Sequence, residues 1–167
     1  MDDLSLPEVR RLVDAANAVR WPGDAPGSVV ESGGFAAGRR LDAFFGTSHK
    51  LAVYGTLAPG QPNHHIVEPL GGEWTDGLIE GDLFPVGWGA VLGYPAFRPR
   101  VGGPAVAVQV LTAPLLATAW FNLDRFEGPE YQRILVPVFS ADLNAAQSGE
   151  RRLYTVANLY AATEAGK

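Results

Sequence analysis

Val53-Tyr54-Gly55-Thr56-Leu57-Ala58-Pro59-Gly60 is the stretch on which the reading of this chain turns. A short apolar run, Lys50 to Tyr54, ends on a glycine and is followed by a Pro-Gly pair, the pattern of a strand running into a tight turn. Successive backbone N–H groups in such a turn can point into one concavity and hold an anion. Gly55 would let a ligand approach the backbone, and Gly60 would let the loop fold back. The same residues also describe a plain strand end followed by a turn.

Upstream of this stretch the periodicity is helical. Ser5 and Glu8 form an S-x-x-E capping box with Pro7 in the first turn. Leu6, Val9, Leu12, Val13, Ala16 and Val19 then recur on one face, so residues 1–20 are predicted as a helix that Trp21-Pro22-Gly23 stops. Residues 22–34 read as a loop. Phe35 to Phe45 is predicted as a second helix with Phe35, Leu41, Phe44 and Phe45 on a face, capped by Gly46.

Downstream the pattern is mostly of strands. Leu78 to Phe84, Gly93 to Phe97, Ala105 to Leu111, Tyr131 to Phe139 and Leu153 to Ala161 are the predicted ones, with a polar loop at residues 144–151. Between them one helix is expected, capped by Thr112 and ended by Gly128, with Leu115, Leu116, Ala119, Trp120, Leu123 and Phe126 at helical spacing. The chain therefore reads as an α+β protein: an N-terminal helical extension over 1–48 and a domain over 49–167.

Composition narrows the function. The chain has 167 residues, net charge −5 and no cysteine. An acidic balance argues against a nucleic-acid partner, which would need a basic face. The absence of cysteine removes disulfides, thiolate zinc sites and a cysteine nucleophile. No apolar run is long enough to span a membrane and the start is acidic, so a cytoplasmic protein is expected. His64-His65 lacks the spacing of a metal site, and a turn or helix start after Asn63 is the expected role. Ser140 lacks a nucleophile-elbow context. Trp74, Trp88 and Trp120 are expected in the core or a pocket wall, with Trp88, between Gly87 and Gly89, as a mobile wall.

A second local rule is broken at Leu123-Asp124-Arg125-Phe126-Glu127-Gly128. Two acids sit in the last turn of a helix, where the dipole is negative and like charges three apart repel. Each effect raises a carboxyl pKa, and burial would raise it further, as a general base near neutral pH requires. Two solvated acids paired with Arg125 or Arg133 would carry the same sequence.

Together, Tyr54-Gly55-Thr56-Leu57 and Leu123-Asp124-Arg125-Phe126-Glu127-Gly128, followed by Tyr131-Gln132-Arg133, resemble the γ-glutamylcyclotransferase-like superfamily. Gly81-Asp82-Leu83-Phe84 and Gly93-Tyr94-Pro95-Ala96 are similar to two further segments of that family. The resemblance covers roughly residues 49–162. It implies a small mixed β-barrel with helices packed outside. It also implies a small-molecule γ-glutamyl substrate and cleavage by intramolecular cyclisation to 5-oxoproline, with no cofactor or metal. Carried over residue by residue, Glu127 becomes the acid–base residue, and Tyr54, Gly55, Thr56 and Leu57 become the loop that binds the glutamyl end. Tyr131 would line the pocket or lie in the core, and Arg133 would position Asp124 or Glu127 or simply lie on the surface. Gln109 stands where the family commonly has an acid, which bears on substrate preference. The alternative is a non-catalytic small-anion or metabolite-binding module on the same fold.

Overall fold

The computed structural model describes residues 3–20, 28–84, 96–141 and 151–162. Helix α1 (Leu6–Arg20) starts on the expected capping box. The Ser5 N–H and hydroxyl each donate to Glu8 Oε2 at 2.9 Å, and the Glu8 N–H donates back to Ser5 Oγ at 3.4 Å. First-turn groups that the helix itself leaves unpaired are thereby satisfied.

Helix α2 (Ser28–Phe45) begins seven residues before the predicted Phe35, so residues 28–34 are helix and not loop. The breaker signal at Gly33-Gly34 is overridden by packing. A Cβ on Gly34 would lie 2.4 Å from Val19 Cγ1 and 2.7 Å from the Ala15 carbonyl oxygen. The missing side chain is what lets α1 and α2 touch, against a helix-propensity cost of about 1 kcal/mol. The inner face of α2 is accordingly Gly34, Ala37 and Leu41, and Phe35 is 58% exposed. Gly46, at φ 68°, follows the helix as expected.

The strands are β1 (Lys50–Val53), β2 (Glu73–Phe84), β3 (Ala96–Pro99), β4 (Ala105–Thr112), β5 (Tyr131–Ser140) and β6 (Leu153–Ala162). Their order is β3-β2-β4-β1-β6-β5, and β2 also pairs with β5 at Gly77↔Ser140 and Leu78↔Phe139. That pairing closes β2, β4, β1, β6 and β5 into a five-stranded barrel, with β3 appended to the far end of β2. The β1–β6 contact, Leu51↔Asn158, is parallel and the rest are antiparallel, so the barrel is mixed. β2 starts at Glu73, before the predicted Leu78, because the polar stretch Glu73–Asp76 is zipped to β4 from Glu73↔Thr112 onward. Of the predicted segment Gly93 to Phe97, Ala96 and Phe97 lie in β3. Gly93, Tyr94, Pro95 and Trp88 lie outside the described residues, as does most of the 144–151 loop.

Side-chain parity sorts the core into layers. Ala52, Val108, Val110, Ile134, Val136, Ala157 and Leu159 fill the barrel with Ile79 and Phe97. On the outer wall, Leu51, Val53, Leu111 and Tyr160 are covered by Leu57, Ala58, Val67, Leu116 and Leu123. Elsewhere on that wall, Leu135 and Val156 lie under Val9, Leu12, Val13, Ala16, Ala37 and Leu41 of the N-terminal helices. β5 is paired to β2 only near Phe139, which leaves the backbone at Leu135 open. The Asn17 side chain closes it: Nδ2 donates to the Leu135 carbonyl at 2.9 Å and Oδ1 accepts from the Leu135 N–H at 2.8 Å. An α1 side chain thus stands in for a missing strand.

The single helix predicted over 112–128 is interrupted. A 3₁₀ segment (Pro114–Thr118) precedes α3 (Trp120–Glu127), and Thr112 is the last residue of β4 and caps neither. At about three residues per turn, Ala113, Leu116 and Ala119 stack towards the barrel, while Leu115 is left 53% exposed.

Candidate active site

The candidate residues lie on α3 and on the turn after β1. Leu123, buried to 2% exposure, packs with Val53, Leu57, Ala58 and Tyr160, and Phe126 and Tyr131 pack against the same cluster. The turn and the helix end therefore share one apolar cluster outside the barrel wall. Glu127 lies four residues after Leu123, so it falls on the same face of α3. Gly128, at φ 76°, ends the helix behind it, and the Gly128 N–H donates to the Asp124 carbonyl at 3.1 Å.

The two acids of this turn have separate fates. Asp124 is paired: Arg133 Nε and Nη2 reach its two oxygens at 3.0 and 3.3 Å, and the Tyr160 hydroxyl donates to Oδ1 at 2.7 Å. The Arg133 guanidinium also stacks 4.6 Å over the Trp120 ring. Arg133 is thus the partner of Asp124. Glu127 receives no hydrogen bond from the described residues, and burial alone pushes its pKa up from 4.5 to about 7. Desolvation, more than the neighbouring like charge, is the cause.

Tyr54 is held at both faces of its hydroxyl. It donates to the Tyr160 carbonyl at 2.9 Å and accepts from the Phe97 N–H at 3.1 Å. Burial drives its pKa far upward, and the fields of Tyr131 and Glu127 add to the rise. The Tyr160 hydroxyl is likewise raised, by burial first and then by Asp124, with Glu127 contributing. Glu127 therefore lies within electrostatic reach of both tyrosines. Tyr54 is a neutral structural post under these conditions, with its hydroxyl already committed.

In the turn, the Ala58 N–H donates to the Gly55 carbonyl at 3.2 Å and the Asn63 N–H to the Thr56 carbonyl at 2.9 Å. The N–H groups of Gly55, Thr56 and Leu57 donate to no acceptor among the described residues. Thr56 is 7% exposed and Leu57 3%, the latter with its side chain in the core. A Cβ added to Gly55 would meet no atom of the described residues within 4 Å apart from its chain neighbours. The space beside Gly55 is open on the side of the described residues. His64 Nδ1 lies 3.0 Å from the Leu57 carbonyl oxygen, where it braces the turn. No group of three potential metal-ligating side chains forms among the described residues.

Two clefts flank these elements. One, of about 440 Å³, is bordered by Tyr54, Gly55, Ala58, Gln61, Asp76 and Gln109. Gln109 sits opposite Val53 on one side and Asp76 on the other, so a carboxylate lies one strand away from it. The second, of about 280 Å³, is bordered by Arg20, Asp124, Tyr131, Gln132, Arg133 and Tyr160. Thr56, Leu57 and Glu127 border neither of these two. Sequence reasoning missed Tyr160 and Arg20. Strand parity gives a signal for Tyr160, since Leu159 and Ala161 face the barrel interior; Arg20, the last residue of a helix, gives none.

A closed mixed barrel with helices packed on its outside, and this pair of motifs meeting in one apolar cluster on its outer wall, is the architecture of the cyclotransferase-like class of α+β proteins. The family model described as gamma-glutamyl cyclotransferase, AIG2-like, matches residues 51–166, and the chain belongs to that family. Both α1 and α2 precede the match. Among solved structures, an AIG2-like protein from Mus musculus is similar at 22% identity and TM-score 0.50, over 69% of this chain and 77% of that one. A solution structure of At5g39720.1 from Arabidopsis thaliana is similar at 22% identity and TM-score 0.47, over 71% of each chain. The mouse likeness is one of fold. No curated protein matches the chain. Among the described residues no helix is long and apolar enough to cross a membrane.

Proposed function

We propose that the protein cleaves a γ-glutamyl amide by intramolecular cyclisation, releasing 5-oxoproline and an amine, with Glu127 as general base and then general acid. The observation that carries this reading is the half-buried Glu127 carboxylate at the end of α3, which receives no hydrogen bond from the described residues; burial pushes its pKa up to about 7. Such a group accepts and returns a proton near neutral pH.

A γ-glutamyl substrate contains its own nucleophile. Its α-ammonium gives a proton to the Glu127 carboxylate. The freed amine attacks the γ-carbonyl carbon, a C–N bond forms to close the five-membered ring, and the bond to the leaving nitrogen breaks. Glu127 delivers that proton to the leaving nitrogen, then takes the second proton that the attacking nitrogen sheds on becoming the lactam N–H and passes it to the released amine, so no water or cofactor is consumed. Holding amine and carbonyl in attack geometry supplies several kcal/mol of the barrier reduction, on the order of the entropic gain of a tethered reaction. The uncommitted N–H groups of Gly55, Thr56 and Leu57 serve the substrate's α-carboxylate or its carbonyl oxygen. Tyr131 is assigned to the wall between them and the leaving group, and Tyr54 to holding the wall in place.

A panel of γ-glutamyl amines and dipeptides with a 5-oxoproline readout tests the proposal. The native protein is expected to turn over at least one member, and Glu127→Gln to keep the fold and form no 5-oxoproline. Full activity in Glu127→Gln would remove that residue from the mechanism. Binding of a γ-glutamyl compound by the native protein without product would mark a binding module instead.

A further inference from the structure

The cleft at the end of α1 contains a charge imbalance that the proton shuttle does not use. Two guanidinium groups, Arg20 and Arg133, border it with one carboxylate, Asp124, leaving a net positive charge. Asp124 is already engaged at both oxygens by Arg133 and by the Tyr160 hydroxyl. Arg20 has only a neutral acceptor among the described residues, Asn158 Oδ1 at 2.6 Å. Asn158 is fixed in that orientation because its Nδ2 donates to the Thr47 carbonyl at 2.7 Å. The Arg20 main-chain carbonyl accepts from Gln132 Nε2, which ties the last turn of α1 to β5. Arg20 is thus held in place with most of its five N–H donors uncommitted among the described residues, the arrangement in which a planar guanidinium takes a carboxylate. Burial first, then the neighbouring Arg133, lower its pKa to about 10 against the opposing fields of Asp124 and Asp42, so it remains charged at neutral pH. Tyr131 and Tyr160 join this cleft to the proposed catalytic centre: both border it, and the fields of Glu127 and Tyr131 reach Tyr54, whose hydroxyl rests on the Tyr160 carbonyl.

The geometry points to a carboxylate-binding subsite formed by Arg20 and Arg133, which takes the carboxylate of the released amine when that amine is an amino acid. This rests on the cyclisation reading, and it makes the N-terminal helix, which lies outside the family match, a determinant of the substrate. γ-Glutamyl-alanine and γ-glutamyl-ethylamide differ in that carboxylate alone. The native protein is expected to favour the first in kcat/KM by about tenfold or more, a preference residing mainly in KM and in line with a charged hydrogen bond of about 1.5–3 kcal/mol. Arg20→Gln abolishes the preference and leaves γ-glutamyl-ethylamide within about twofold of native. Arg20→Lys, which keeps the charge and loses the fork, retains part of it and serves if Arg20→Gln fails to fold. Acetate titrated into the native protein should move the Arg20 Nε–Hε NMR resonance saturably. Equal turnover of the two substrates, unchanged by either variant, overturns the subsite and leaves cyclisation standing. An acetate-responsive Arg20 with no turnover of either substrate overturns cyclisation, and the substrate role of the subsite with it. An Arg20 resonance indifferent to acetate overturns the subsite as an anion site.

Discussion

Replacing Glu127 with glutamine should make the protein more stable above neutral pH. The carboxyl pKa rises from 4.5 to about 7 on burial. That difference corresponds to about 3 kcal/mol by which the fold disfavours the charged form. A folded-state pKa above the unfolded value means that the folded chain holds the proton more tightly. Glu127 therefore adds no penalty below about pH 4, and stability is lost progressively as pH rises towards and through 7. Glutamine mimics the neutral acid at every pH and escapes the loss. Relative to native, Glu127→Gln should gain about 2–3 kcal/mol between pH 5 and pH 8. In a chain of this size that is a rise in the Tm difference on the order of 5–10 °C. Urea unfolding of both proteins at the two pH values gives the number directly. The same variant is expected to be inactive, so stability and activity would move in opposite directions, as they do when a strained group is kept for function. A stability difference between native and variant that stays flat from pH 5 to 8 would show Glu127 to be solvated and refute the desolvation argument.

Gly55→Ala places a methyl group where, chain neighbours apart, no atom of the described residues lies within 4 Å, so unfolding free energy should change by less than about 0.5 kcal/mol. If substrate occupies that space, kcat/KM falls tenfold or more; unaltered kcat/KM with unaltered stability would move the substrate away from this turn. Asn17→Ala leaves both the Leu135 N–H and carbonyl without their partner and should cost about 2–4 kcal/mol in denaturant unfolding. A cost below about 1 kcal/mol would mean that water replaces the side chain there.

Much of the fold is written in local patterns that packing respects. Val106, Val108 and Val110 alternate as predicted, with Val108 and Val110 in the barrel interior. Ser5 and Glu8 cap α1 because both partners lie within one turn, so no distant residue is needed. Where the reading failed, a tertiary contact decided. Gly34 looks like a breaker until α1 lies against it, and Ala119 looks like mid-helix until Ala113 and Leu116 must face the barrel in a tighter spiral. Closure through Gly77↔Ser140 joins positions too far apart in the chain for any periodicity to reveal. At the site, the misplaced charges at Asp124 and Glu127 were legible, but not which would be neutralised by a partner and which left desolvated. That depends on Tyr160 and Arg133 arriving from two other strands. The contribution of Arg20 depends on α1 docking against β5, which its helical pattern does not encode.

The most direct measurement is a ¹³C NMR titration of the Glu127 side-chain carboxyl carbon, laid over the pH dependence of kcat/KM for 5-oxoproline release. Both curves should turn near pH 7, with the rate rising as the carboxylate forms. A carbon that titrates near 4.5, or a rate whose rise does not follow the carbon, would contradict the assignment of proton transfer to this residue.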